Sequence, residues 1–199
     1  MSTRRRPQGD ETRSRLLDWT DGQKASERLS GHILAAEGFD SVDPSQPLGG
    51  PDGLKDLTCW KDGIKWVVAV YFPNGHKPFT SIKSKFSNDV KGAIANNTDG
   101  FVFITNQHLT VRQRETLREN APTRNVEIYH LERIAHILDT PVNYGVRQDF
   151  LGIEMTKEEL LASFVYVTTT MTDEWRKFRG ELMEDVRRQI QEAWSQHQD

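Results

Sequence analysis

Asp56 is the side chain in this 199-residue chain that most needs a chemical reason for its position. It falls in Gly49–Phe72, GGPDGLKDLTCWKDGIKWVVAVYF. That stretch reads as a Gly-Pro-Asp-Gly turn, a strand carrying Asp56, a hairpin at Lys61-Asp62-Gly63 and a buried strand from Lys65 to Phe72. Asp-Gly between two β-rich runs marks a hairpin because both positions tolerate positive φ. The carboxylate is thereby set beside the most hydrophobic strand of the chain, where it is costly unless it binds a cation or accepts hydrogen bonds. Asp52 belongs instead to Asp-Gly turn chemistry.

Other polar groups carry two readings each. Glu27, Lys83 and Lys85 fall on helical segments, either as solvated residues, with lysine stems lying along apolar neighbours, or as charges aimed at a site. Asn106-Gln107 ends an apolar strand, where parallel strands present their loops to ligands. Their amides suit contact with a phosphate or base, or simply the capping of the next helix. His108 and His130 have no nucleophile in a recognisable motif and read as structural. Trp60 and Trp66 read as sheet-packing aromatics, and Cys59 as a small buried hydrophobe.

The elements that must position these groups follow from periodicity. Residues 1–20, with Arg4-Arg5-Arg6-Pro7, read as a polar arm. Ala25, Leu29, Ile33 and Leu34 recur at helical spacing, and Gly38 supplies the stop. A second helix runs from Thr80 or Ser81 to about Asn97, with Ile82, Phe86, Val90, Ala93 and Ile94 as its stripe. Phe101–Thr105 is a continuous apolar run, as in a central strand covered on both faces. A helix over Thr110–Asn120, a strand over Val126–Tyr129 and a helix over His130–Asp139 complete an α/β domain spanning 21–153. Residues 154–199 form a helical extension. It is read as a helix from Lys157, a joint at Thr168-Thr169-Thr170, a capping box at Thr170–Asp173 and a final helix striped by Trp175, Phe178, Leu182, Val186, Ile190 and Ala193.

Composition narrows the classes. The net charge is −3, so the whole molecule is no obvious polyanion binder. A single cysteine excludes an internal disulfide framework and a Cys-based zinc site. No apolar run approaches the ~18 residues of a membrane span, and the N-terminus has no apolar core of a secretory signal. The expected setting is cytoplasmic.

The order of elements and several strings resemble the restriction-endonuclease-like superfamily with the PD-(D/E)xK motif, in its Mrr-like type IV restriction and bacterial defence branch. The likeness covers about residues 22–140. Family members open with a helix bearing a glutamate, followed by G-x-D-G-x-x-D, here Gly50-Pro51-Asp52-Gly53-Leu54-Lys55-Asp56. A hairpin then leads to a strand ending in (E/Q)-x-K, and a GF-V-F-x-T strand follows a helix, here Gly100–Thr105. The second motif strand departs from the pattern. Ala69 stands where the acid or amide belongs, and Tyr71 where the lysine belongs.

The resemblance implies a mixed central sheet flanked by helices and a metal-dependent DNA endonuclease acting against phage or foreign DNA. It implies Mg²⁺, or Mn²⁺, held by Asp56 with help from Glu27. A displaced lysine, Lys85 before Lys83, would orient the attacking water, with Lys83, Asn106 and Gln107 on the nucleic acid. Two rival readings stand beside it. One is a catalytically silent DNA-binding or scaffold module, motivated by Ala69 and Tyr71. The other is an interaction protein working through the C-terminal helix, whose apolar stripe leads to the expectation of a homo-oligomer or a partner protein.

Overall fold

The computed structural model describes residues 8–44, 56–95, 98–121 and 125–195. The chain divides into two compact units, Met1–Glu154 and Met155–Asp199. The first is an α/β unit with the order α1 (Gln8–Leu17), α2 (Gly22–Ala36), β1 (Asp40–Pro44), β2 (Leu57–Lys61), β3 (Ile64–Tyr71), α3 (Phe79–Ala95), β4 (Gly100–Thr105), α4 (Val111–Glu119), β5 (Asn125–Tyr129), α5 (Leu131–Leu138) and α6 (Tyr144–Leu151). The strands form one mixed sheet in the order β1-β2-β3-β4-β5. β1, β2 and β3 pair antiparallel, whereas β3, β4 and β5 pair parallel.

The hairpin follows from its turn. Lys61 pairs with Ile64 across Asp62 and Gly63, whose φ values are 53° and 75°, the left-handed pair that a tight two-residue turn requires. β4 is buried along its whole length, as a doubly covered strand must be. Its residues alternate between two cores. Val102 and Ile104 join Leu29, Ile33, Val68 and Val70 beneath α1, α2, α5 and α6. Phe101 and Phe103 join Val67, Ala69, Ile82, Phe86 and Leu117 beneath α3 and α4.

Gly100 opens β4 because no side chain fits there. A Cβ at this position would lie 2.3 Å from Cδ2 of Trp66, a buried indole packed edge-on against Phe39 with ring centroids 5.6 Å apart. Gly100→Ala is therefore expected to destabilise the α/β unit by about 1–3 kcal/mol, as overpacking does. Urea titration reads this as a lower midpoint, and Trp66→Leu in the same chain should recover part of it. An unchanged midpoint in the single variant would overturn the account. Trp60, by contrast, is 45% exposed on β2 and does not pack into the sheet.

Three readings are corrected. The polar arm becomes a helix from Gln8 onwards: Thr12, Leu16 and Trp19, spaced four and three apart, are all buried. Thr12 donates to Asp139 at 2.7 Å and Arg13 pairs with Glu132 at 2.6 Å, which ties α1 to α5. Charged residues along the exposed side hid that short stripe; Arg4–Arg6 lie outside the described residues. The second correction is α6, a helix the pattern did not announce. Its most buried side chain is Arg147, paired with Asp139 at 2.9 Å, and a buried arginine reads as polar in any periodicity count.

The third correction concerns the second unit, where α7 (Lys157–Ser195) is a single 39-residue helix with no joint. Its capping box lies at Thr156, whose Oγ1 accepts from Glu159 N while Glu159 Oε2 accepts from Thr156 N. Thr168, Thr170 and Thr172 lie within this helix and donate their hydroxyls to the carbonyls of Phe164, Tyr166 and Thr168. No described helix is long and apolar enough to cross a membrane.

Candidate active site

Asp56 immediately precedes β2 rather than lying within it. Its backbone N–H donates to Val68 O at 3.0 Å, while Val70 N–H donates to its Oδ2 at 2.6 Å. The carboxylate thus continues the ladder where the backbone of β2 gives out, a charge-assisted bond shorter than an ordinary amide–carbonyl contact. Val70 O, on the same edge of β3, is held from α2 by Gln23 Nε2 at 3.4 Å. Glu27 lies one helical turn beyond Gln23 and shares its side of α2. The residues preceding Asp56, including Asp52, lie outside the described residues.

β3 offers no replacement acid of its own. Ala69 is 1% exposed and belongs to the apolar cluster with Val67, Ile82 and Phe86. The charged groups on that face come from α3. Lys85 Nζ donates to Asp89 Oδ1 at 2.7 Å, and Asp89 is buried to 3% exposure. At about 100° of turn per residue, Lys85 and Asp89 fall about 100° and 60° to one side of Phe86. Phe86 itself packs edge-on against Phe101 and Phe103 of β4. Parallel crossovers such as β3–α3–β4 are right-handed. In that hand the Lys85–Asp89 edge of α3 is turned away from β4, towards the β2 side of the sheet. Lys83 falls on the other flank.

Asp89, at the edge of the α3 stripe four residues after Lys85, has no role in the motif strings. Its signal was present in the sequence: an aspartate three residues after a core phenylalanine, with a lysine one turn before it. Motif strings are read along strands, and this acid stands on a helix.

Asn106 and Gln107 are corrected outright as nucleic-acid contacts, since both are buried. Asn106 Nδ2 donates to Leu16 O at 2.7 Å and to Pro73 O at 3.0 Å. Gln107 Nε2 donates to Gly75 O and to Asn106 Oδ1, and its Oε1 accepts from Lys77 N at 2.7 Å. These bonds join the end of β4 to α1 and to the loop after β3. Backbone carbonyls left over at the end of α1 and in the loop after β3 need donors, and the two amides supply them.

His130 is likewise structural. It occupies the N-cap position of α5 without a side-chain capping bond, is 6% exposed, and its Nε2 meets Arg114 Nη1. Burial, then the charges of Arg114 and His108, push its pKa from 6.5 down to about 4, against a smaller upward pull from Glu132. The folded chain therefore holds the ring neutral while the unfolded chain protonates near 6.5. Stability should be unaffected by this group above pH 6.5, fall as pH drops to about 4, and level off below that. The full loss is worth roughly 3 kcal/mol. His130→Asn keeps an acceptor and carries no charge, so urea melts at pH 7 and pH 4.5 should differ less in this variant than in the parent; equal differences would refute the assignment. Cys59, pushed up to about 12 by burial, is an inert thiol.

No family model, no curated protein and no solved structure matches this chain. Its chemistry therefore has to be read from the site itself. Among the described residues, no three His, Cys, Asp or Glu side chains come together as a cation cage. Mg²⁺ does not require one, because it retains several waters and binds through one or two carboxylates. An anchored, half-buried carboxylate such as Asp56 fits that mode, and the site contains none of the imidazole or thiolate donors that favour zinc.

Proposed function

We propose that the chain is a metal-dependent DNA endonuclease of the PD-(D/E)xK kind, in which α3 supplies the acid and the lysine missing from β3. The observation that carries the reading is the Lys85–Asp89 pair, set at 2.7 Å on the edge of α3 that the crossover turns towards β2. Asp56, anchored through Val70 N–H, would hold the cation, with Asp89 or Glu27 as the second acid. The bound ion supplies polarisation of the scissile phosphate and acidification of a water. The ammonium of Lys85 faces an aspartate and remains partly open to solvent, with its side chain 40% exposed. It can orient the attacking water and offset charge developing at phosphorus. Lys83 contributes a phosphate contact. A role against phage or foreign DNA follows from the family resemblance alone.

The test is plasmid DNA incubated with the purified chain, with Mg²⁺, with Mn²⁺ and with neither. Nicking or linearisation that requires the ion supports the reading, and intact plasmid under all three conditions rejects it. The tight apolar packing of Ala69 favours the silent DNA-binding module as the second reading. That module would retain DNA without cutting it, and the retention would weaken steeply as salt rises.

A further inference from the structure

The stripe on α7 has a regular period. Leu160, Phe164 and Val167 recur eleven residues later as Met171, Trp175 and Phe178, and Leu182 opens a third repeat. Eleven residues make three turns at about 3.67 residues each, so the stripe stays on one side of a nearly straight helix. Each of these side chains is between 48% and 66% exposed. From Leu160 to Leu182 the stripe runs for about 33 Å. A continuous apolar strip of that length on a soluble chain marks an interface.

We infer that the occupant is a second copy of α7, lying parallel and in register. Two features select this partner. Leu160 to Thr172 contains no charged residue, whereas Asp173 to Arg188 is densely charged. A parallel copy in register covers the whole stripe with the uncharged segment against itself, while an antiparallel copy covering the same stripe lays residues 160–169 along the charged residues 173–182, which would lose water without gaining partners. Glu174 and Arg179 lie on opposite flanks of the stripe and carry opposite charges, and in a parallel pair the left flank of one helix faces the right flank of the other. Among the described residues, the ion pairs along α7 join Asp173 to Arg176, Lys177 to Glu181 and Asp185 to Arg188, and leave these two out. The structure thus assigns Glu174 of one copy to Arg179 of the other.

The inference does not depend on nuclease activity, and its test reads mass and cross-linking rather than cutting. Sedimentation equilibrium of the full chain should give twice 22.9 kDa. Phe178→Asp with Leu182→Asp should return the single-chain mass with helix content unchanged by circular dichroism, since both side chains are exposed in the single chain. Met171→Cys should form an intermolecular disulfide on mild oxidation, because in-register copies place residue 171 against itself. Glu174→Arg should weaken association at least tenfold, and adding Arg179→Glu should restore it. A single-chain mass for the parent, or association that survives both aspartates, overturns the interface. Failure of Met171→Cys to cross-link overturns the parallel register.

Discussion

Asp56→Asn is expected to abolish ion-dependent cleavage while leaving the fold intact. The amide oxygen of asparagine can still accept Val70 N–H, which Asp56 Oδ2 now holds at 2.6 Å. It cannot bring the negative charge that a hard cation needs. Asp56→Ala removes both functions. It should lose activity and also about 1–3 kcal/mol of stability, the cost of a buried donor left without its acceptor. The two variants together separate chemistry from structure, with plasmid cleavage as one readout and the urea midpoint as the other. If Asp56→Asn cuts at the parent rate, Asp56 is a ladder cap and nothing more. The comparison matters because a carboxylate beside an apolar strand is satisfied by either role, and the Val70 bond shows that the structural role is filled.

Much of the scaffold was legible because its signals are local. The Asp62-Gly63 turn, the doubly covered β4 and the helix bounds of α2, α4 and α5 each follow from a few neighbouring residues. What stayed hidden depends on partners far apart in sequence. Asn106 and Gln107 sit where a ligand loop would be expected, yet their amides are taken by Leu16 O, Pro73 O and Gly75 O. Arg147 is buried because Asp139 faces it, and α1 is a helix because α5 receives it. The threonines of α7 were misread for another reason. Their low helix propensity predicts a break, but propensity costs only about 0.7 kcal/mol or less per residue and is a weak prior within a long helix, and the hydroxyls bond back to carbonyls of the same helix.

The same limit applied to the site. Helical spacing alone sets Lys85 and Asp89 at the edge of the α3 stripe, but it could not show that they pair at 2.7 Å or that Asp89 is buried. The relocation proposed above carries the last prediction. Lys85→Ala leaves Asp89, 3% exposed, without the ammonium that neutralises it, and should lower stability. The fall should be about 1–3 kcal/mol, short of a fully buried pair because the lysine is partly hydrated. Asp89→Asn on its own is milder, since the lysine can turn to water. Lys85→Met with Asp89→Leu removes the charges together and should recover most of the stability, as apolar replacement of an ion pair often does. Cleavage discriminates between the two roles. A catalytic pair loses activity in all three chains, including the restabilised double variant, with DNA retention nearly unchanged. A structural pair loses activity only in proportion to stability, and the double variant cuts like the parent. Lys83→Ala, on the other flank of α3, should in either case weaken DNA retention alone, and more so as salt rises.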